Sequence, residues 1–229
     1  MIWCVCYLIP HFRTSALREA GGWDPHNVTE DADLGLRLAR LGYRVGVIDA
    51  TTYEEAPAGV SDWMKQRTRW MKGWMQTVLV HTRNPLRLLL DLGPLGSFGF
   101  AATVAANLMS AILHPVALGL IGYQISHGRV FAGTGALADT VATLASANLV
   151  FGYSAALACA AVGLYRRPMP GLAWHLALTP VYWLMSAFAF VLAAIDLVRR
   201  PHFWAKTEHG KARSATPAGL RRKRPARRR

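Results

Sequence analysis

The chain has 229 residues, of which 52% are hydrophobic and 17% are charged. Its formal net charge is +13, but residues 199–229 contain twelve of the 26 basic residues and only one of the 13 acidic residues. The rest of the chain is nearly neutral, so the basic character belongs to a tail. A basic tail beside apolar segments is more typical of a membrane-topology signal than of a nucleic-acid-binding protein. The three cysteines, Cys4, Cys6 and Cys159, predict neither a disulfide framework nor a zinc site.

Residues 1–60 begin with a pattern of short alternating elements. The apolar run at residues 2–10 predicts a buried strand, and Thr14 or Ser15 is the expected cap of a short helix through Ala20. A Gly-Gly pair follows, as is typical just past the end of a helix. No glycine-rich phosphate loop is present, so the pattern indicates an incomplete nucleotide-binding α/β domain.

A second helix is predicted from residue 30 to about residue 41, with Thr29 as its N-cap, and residues 43–49 alternate as a strand does. Its expected apolar stripe consists of Leu34, Leu38 and Leu41. Asp31 lies in the first turn, where the helix dipole favours an ionised carboxylate. Such a carboxylate has the chemistry of a general base toward a sugar hydroxyl. Ordinary helix capping explains the Thr-Glu-Asp sequence equally well.

Residues 61–92 are predicted to contain an amphipathic helix at the membrane interface, beginning with SDWMKQRTRWMKGWMQTVLVH. The helical period places Trp63, Trp70, Trp74 and His81 on one face and Lys65, Lys72 and Gln76 on the opposite face. Gln66, Arg69 and Trp70 form one contiguous patch at i, i+3 and i+4. An amide, a guanidinium and an indole side by side could bind a phosphate and a sugar ring. The alternative is a helix that only lies on anionic lipid.

Residues 93–198 form a nearly uncharged region in which three segments, 95–125, 137–164 and 173–198, are each long enough to cross a bilayer. His114–Pro115 predicts a kink or a partial insertion in the first segment. Residues 199–229 are predicted to be a disordered basic tail.

Two motifs resemble a known family. GGWDPHNVTEDADLGLRLARLGYRV, then QRTRW and then membrane segments, is similar to the C-terminal half of membrane-embedded family 2 glycosyltransferases related to cellulose synthase. The closing PHFWAKTEHG is similar to bacterial members. T-E-D alone is a weak signal, but T-E-D followed 35 residues later by Q-x-x-R-W and then by membrane spans is specific. The resemblance covers nearly the whole chain and implies that residues 1–60 are the C-terminal part of a GT-A type catalytic domain.

The resemblance also implies roles for the motif residues. Asp31 is expected to be the general base that deprotonates the acceptor hydroxyl. The expected acceptor- and donor-binding residues are Thr29, Glu30, Gln66, Arg69 and Trp70. A guanidinium suits a diphosphate leaving group, and an indole face suits a pyranose ring.

The full-length family enzymes are expected to use Mg²⁺ or Mn²⁺, held by a D-x-D pair upstream of this region. Asp31-Ala32-Asp33 has D-x-D lettering but belongs to the T-E-D helix, so no metal ligand is predicted in this chain. The chain alone is therefore expected to be inactive and to need a separate donor-binding half. A truncated gene, a late start codon or a split enzyme would explain this arrangement.

Two functions remain open from the sequence. The first is a membrane-bound inverting glycosyltransferase fragment that transfers a sugar from a nucleotide-sugar donor to a polysaccharide or glycan acceptor. The second is a catalytically inactive membrane remnant or scaffold. A multi-pass protein of the cell inner membrane is expected, with the catalytic part and the basic tail in the cytoplasm and no nucleic-acid partner. Three full crossings would place the tail outside, so residues 95–125 are expected to cross incompletely.

Overall fold

The computed structural model describes residues 11–46, 57, 59–128, 135–166 and 171–203, and all of its regular elements there are helical. The helices are α1 (Thr14–Glu19), α2 (Glu30–Arg40), α3 (Val60–His81), α4 (Pro85–Phe100), α5 (Ala106–Ser126), α6 (Ala136–Arg166) and α7 (Thr179–Arg199). A π-helical turn, Ala101–Ala105, joins α4 to α5, and a 3₁₀ segment, Ala173–Leu178, precedes α7.

Helix α2 lies at the centre of the packing because apolar residues on several of its sides are buried. Leu34 and Leu38 pack with Ala16 of α1 and with Ala20, the residue that caps its carboxyl end. On another side, Leu36 and Ala39 meet the apolar residues of α4, which are Leu88, Leu92 and Phe100. Its first turn reaches a third cluster, formed by Ala32, Met71, Trp74, Met75, Leu108 and Ala193. The N-terminus of α2 is thereby fixed against α3, α5 and α7.

Helices α3 and α7 run side by side in the same direction. Trp63 near the start of α3 contacts Tyr182 near the start of α7, with ring centroids 5.4 Å apart. About two and a half to three and a half turns further along α3, Lys72 and Gln76 bond to the backbone that follows the end of α7. The carboxyl end of α7 therefore lies beside the middle of α3.

Three helical stretches are long and apolar enough to cross a membrane: Pro85–Ser126, Ala136–Arg166 and Ala173–Arg199. Each contains one of the segments predicted from sequence, although the first begins ten residues earlier than expected. Irregular backbone in the first stretch lies at Gly93, whose φ is 68° and ψ 174°, and in the π turn Ala101–Ala105. Pro115 lies inside the continuous helix α5, so the recorded break is upstream of the predicted one at His114–Pro115.

Several local predictions need correction. Residues 43–46 form no strand, because no described segment supplies the ladder hydrogen bonds that define one; residues 2–10 and 47–49 lie outside the described part. The α/β character of residues 1–60 therefore remains a prediction. Arg13, not Thr14 or Ser15, is the N-cap of α1. Leu41 is exposed, so the apolar stripe of α2 ends at Leu38 on that side.

The predicted polar face of α3 is largely wrong. Lys72 is only 2% exposed and Gln76 8% exposed, whereas Lys65 is exposed as expected. Both buried side chains find backbone carbonyl partners outside α3, so they need no solvent. Helix α3 is consequently packed on most sides in its second half and does not present one whole face to water.

Candidate functional site

The loop before α2 is held by one buried amide side chain. Asn27 Oδ1 accepts hydrogen bonds from the backbone N–H of Thr29 at 2.9 Å and from its hydroxyl at 3.3 Å. The Asn27 amide nitrogen donates to Thr77 Oγ1 of α3 at 3.0 Å. Thr29 is the N-cap residue of α2, but its side chain makes no capping bond because Asn27 engages it instead. The start of the T-E-D motif is thereby bonded to α3.

Gln76 of α3 makes a second connection to the same loop. Its Oε1 accepts from the backbone N–H of Val28 at 3.2 Å, and its Nε2 donates to the carbonyl of His26 at 3.2 Å and to that of Pro201 at 3.0 Å. One amide therefore joins the loop, α3 and the turn after α7. Both N–H donors and the carbonyl oxygen of this buried amide are thus engaged.

The T-E-D turn rests directly against α3 at Gly73. A Cβ at this position would overlap the hydroxyl and methyl group of Thr29. Gly73 lies seven residues after Gln66 and four after Arg69, so it continues the same helical stripe. Only a residue without a side chain lets the T-E-D turn rest on the stripe that carries Q-x-x-R-W.

Arg69 is electrostatically coupled to the two acids of the T-E-D motif. Burial lowers the pKa of the Arg69 guanidinium, while the charges of Glu30 and Asp31 act in the opposite direction. All three side chains are partly buried, which leaves them open to a ligand. Asp31 Oδ1 accepts a hydrogen bond from the backbone N–H of Ala32 at 2.8 Å, which orients the carboxylate at the start of α2. A basic group and two acids thus face one another across the α2–α3 contact.

Trp70 is held by a cation that sequence reasoning did not single out. The guanidinium carbon of Arg67 lies 4.6 Å from the Trp70 ring centroid, 5.4 Å from that of Trp63 and 5.6 Å from that of Tyr182. These three rings form an aromatic cage around Arg67. A cation over an indole face is attracted by the ring quadrupole, so Arg67 fixes the Trp70 plane. A stacking sugar would have to use the other face or the edge of Trp70.

A buried polar network behind the motif was also missed. Asp33 accepts from His81 Nε2 at 2.9 Å and from Arg37 Nε at 2.7 Å. Arg40 lies 3.0 Å from His81 Nδ1 and also bonds to Asp91 at 2.7 Å. A guanidinium can only donate, so His81 Nδ1 accepts and its Nε2 carries the proton given to Asp33. The network connects α2, α3 and α4.

The charge state of Asp33 follows from these partners. Burial alone would raise the pKa of the Asp33 carboxyl, but the hydrogen bond from His81 and the charge and hydrogen bond of Arg37 outweigh it. The pKa of Asp33 therefore lies below its ordinary value. The i, i+4 spacing of Asp33 and Arg37 was a readable signal for their ion pair, whereas the partnership with His81, 48 residues away, was not.

Lys72 anchors the turn that follows α7. Its Nζ donates to the carbonyl of Phe203 at 2.6 Å and to that of Arg200 at 3.3 Å. Burial lowers the pKa of the Lys72 ammonium, and the charge of Asp196 partly offsets this effect. The anchored turn places His202 against His26, with ring centroids 4.9 Å apart. The residues after α7 therefore reach the loop that leads into T-E-D.

The structure thus brings together Thr29 with α3, and Glu30 and Asp31 with Arg69. Gln66 lies on the same α3 stripe but one to two turns before the Gly73 contact, and no described bond joins it to the T-E-D turn. Within the described ranges, no group of three or more His, Cys, Asp or Glu side chains lies close enough together to hold a metal ion. Asp33 is committed to His81 and Arg37, so the described residues do not fit the divalent ion expected for the full-length family enzymes.

Comparison with known proteins decides the family. The model of glycosyl transferase family group 2 matches residues 10–199, which is most of the chain. The chain belongs to this family. The family implies a GT-A fold for its catalytic domain and glycosyl transfer as its chemistry, with a sugar donor and a glycan acceptor as substrates.

Individual relatives match this chain over shorter stretches. The probable glycosyltransferase YdaM of Bacillus subtilis (strain 168) is 38% identical over 68 residues, 29% of this chain and 16% of the relative. The probable glucomannan 4-beta-mannosyltransferase 7 of Oryza sativa subsp. japonica is 28% identical over 111 residues, 46% of this chain and 19% of the relative. The probable glucomannan 4-beta-mannosyltransferase 10 of Arabidopsis thaliana is 36% identical over 63 residues, 27% of this chain and 11% of the relative.

This chain therefore spans less than a fifth of the length of these curated relatives. No solved structure is significantly similar to it.

Proposed function

We propose that this family 2 glycosyltransferase chain forms the acceptor side and the membrane part of an inverting enzyme that uses a nucleotide sugar. Asp31 takes the proton from the acceptor hydroxyl, and Arg69 stabilises the negative charge that develops on the leaving diphosphate. The observation that supports these roles is the electrostatic coupling of Arg69 to Glu30 and Asp31 across the α2–α3 contact. Base and leaving-group cation then lie on opposite sides of the space where the sugar is transferred.

The remaining motif residues bind rather than react. Trp70, held in its plane by Arg67, offers an aromatic surface to a pyranose ring. Thr29 positions the turn by resting on Gly73, and Gln66 extends the polar stripe of α3. The relatives named as mannosyltransferases make nucleotide-activated mannose and glucose the first donors to try, with a β-linked glucan or mannan as acceptor.

Substitution of the base tests the proposal. With a donor-binding half supplied by fusion or coexpression, Asp31→Asn should lower sugar transfer by about 10²–10⁴-fold, because the amide cannot accept the proton. Radiolabelled sugar incorporated into polymer by membrane vesicles is the measurement. Asp62→Asn, which removes an acid of the first turn of α3, is the matched control and should transfer normally. Turnover of Asp31→Asn within about threefold of the parent would assign the proton to another group, and absence of transfer by the parent itself would leave the chain as an inactive remnant.

The proposal includes an orientation in the membrane. The carboxyl end of α7 is bonded through Lys72 and Gln76 to α3 and lies at the T-E-D loop, which supports a basic tail on the same side as the catalytic residues. The positive-inside rule makes this side the cytoplasm. Asp91 of α4 bonds to Arg40 of α2, so α4 stays with the catalytic part up to the break at Gly93. A cysteine at Ser214 should therefore resist membrane-impermeant maleimide in intact cells; labelling from outside would refute this orientation.

A further inference from the structure

A cavity beside the T-E-D turn has no role in the chemistry assigned above. Its volume is about 330 Å³, at the lower end of the range for small-ligand sites. Its lining comprises Trp23, Asp24, Pro25, Asn27, Val28, Glu30 and His202. Glu30 directly precedes Asp31, so the cavity borders the helical turn that carries the proposed base. The size restricts the ligand to a small molecule or to one end of a longer chain.

The polar groups of the cavity are mostly hydrogen-bond acceptors. Asp24 Oδ1 accepts from the backbone N–H of His26 at 2.8 Å, which fixes the carboxylate and leaves Oδ2 available. Glu30 contributes a second carboxylate, partly buried at the start of α2. His202 Nδ1 faces the carbonyl of His26 at 3.3 Å. Because a carbonyl only accepts, Nδ1 carries the proton of this bond, and Nε2 is the ring's second polar atom.

One wall of the cavity is an aromatic ring. Trp23 is 45% exposed and packs edge-on against Phe12, with ring centroids 5.5 Å apart and planes at 78°. This contact restrains the indole, while almost half of the Trp23 surface stays exposed. An aromatic face together with several acceptors matches a ligand that has an apolar ring face and many hydroxyl donors.

These features separate two classes of ligand. A nucleotide diphosphate would bring negative charge next to Asp24 and Glu30, which is unfavourable at short range. A neutral sugar would donate its hydroxyls to the same carboxylates and stack on Trp23. We propose that this cavity binds a terminal sugar unit of the acceptor glycan, with Trp23 as its platform, Asp24 and Glu30 as its hydroxyl acceptors and His202 as a further hydrogen-bonding partner. The assignment rests on the proposed glycosyl transfer, because it names the acceptor's binding place.

Direct binding tests the cavity without requiring transfer. Cellotetraose and mannotetraose are added to the purified 229-residue chain in detergent micelles, and saturation-transfer difference NMR reports their ring protons. At least one tetrasaccharide should bind. Trp23→Ala should weaken binding by about tenfold and Trp23→Phe by less than about threefold, since phenylalanine keeps an aromatic platform. Trp174→Ala, at an exposed tryptophan in the 3₁₀ segment, is the matched control and should bind as the parent does.

A second variant keeps the proposal testable if Trp23→Ala fails to fold. Asp24→Asn keeps an oxygen for the His26 N–H but loses a charged acceptor, so it should weaken binding by about threefold or more while circular dichroism stays unchanged. Added uridine diphosphate should not reduce the saccharide signals. Parental affinity in both Trp23→Ala and Asp24→Asn, competition by uridine diphosphate, or no binding of either tetrasaccharide would overturn the proposal. Asp31→Asn should still bind saccharide, so a failure of the base assignment and a failure of the cavity give different results.

Discussion

The α2–α3 junction, where α2 and the loop before it pack against α3, differs from helix α6 in the kind of side chain that it buries. In the junction, polar and charged side chains such as Asp33, Lys72, Gln76 and Thr77 are buried. Over the 31 residues of α6 only Ala142, Ser146 and Leu149 are buried, and the rest of its surface is mostly apolar and exposed. A buried polar group needs a specific partner, whereas an apolar surface is satisfied by any lipid chain.

The difference explains which region can define a site. Each buried donor or acceptor in the junction has one arrangement that pairs it, and unpaired alternatives are costly. Rotation of the junction by a few degrees would break several bonds at once. Rotation of α6 would break the described contacts of Tyr153 with His114 and Trp183, but most of its exposed apolar surface has no specific partner to lose. Positional precision for catalysis is therefore expected from the junction, whereas α6 is expected to anchor the chain in the proposed membrane orientation.

The sharpest test of this comparison removes an acid from each region. Asp33→Ala should lower the free energy of unfolding by about 3–5 kcal/mol, because it leaves His81 and Arg37 without their buried partner. Asp139→Ala, in the exposed first turn of α6, should change it by less than about 0.5 kcal/mol. Denaturant titration in detergent micelles, followed by circular dichroism, compares the two. Equal losses would mean that burial does not distinguish the regions.

The Asp33 carboxyl also predicts how the stability of the chain depends on pH. Its pKa in the folded chain is below the ordinary value of 3.8, so the ion pair contributes its full stability above that value. This contribution is lost as the pH falls through the lower, folded-state pKa. The parent should therefore lose stability below about pH 4 more steeply than Asp33→Asn, which cannot titrate there. Parallel acid titrations of the two proteins would contradict the lowered pKa.

Sequence patterns were informative where one element decides the outcome. Hydropathy alone located the three candidate spans, because lipid contact depends on the composition of each segment. Helix α2 begins at Glu30 as its capping residues predicted. The i, i+3, i+4 spacing also grouped Gln66, Arg69 and Trp70 on one stripe of α3.

Patterns failed where the partner is distant in sequence. Periodicity assigned Lys72 to a face exposed to solvent. Its ammonium instead donates to the carbonyl oxygens of Arg200 and Phe203, which lie 128 and 131 residues later in the chain. Gly73 gave no signal at all, because its importance depends on Thr29 lying against it. The contact between the two motifs is a tertiary property, and only the fold supplies it.

Two glycine-to-alanine substitutions test how closely the T-E-D turn approaches α3. Gly73→Ala should destabilise the chain by about 1–3 kcal/mol, because its methyl group overlaps Thr29 and must displace the T-E-D turn. Gly35→Ala, on α2 with nothing within 4 Å of the added carbon, should be neutral or stabilising by up to about 1 kcal/mol. The unfolding free energies of both variants are compared with the parent. If Gly73→Ala is as stable as Gly35→Ala, the two motifs are not in close contact.

The smallest effect is expected at Arg67, where the junction meets α7. Arg67→Lys keeps the positive charge but replaces a flat guanidinium, set among Trp63, Trp70 and Tyr182, with a compact ammonium. A cation–π contact at a partly exposed site contributes about 0.5–1 kcal/mol, so the loss in unfolding free energy should be of that size or smaller. Arg87→Lys, at a side chain that is 73% exposed, is the matched control and should cost almost nothing.

A double-mutant cycle separates the contact between Arg67 and Trp70 from general effects of each substitution. Arg67→Lys, Trp70→Leu and the double variant are compared by denaturant titration, and the coupling energy isolates the contact between the two side chains. A coupling of about 0.5 kcal/mol or more is expected. Because Arg67 and Trp70 both lie on α3, this coupling would show that the indole plane is set within the junction before any sugar binds. A coupling indistinguishable from zero would mean that Trp70 is oriented by its other neighbours and that the cage holds Arg67 without holding the ring.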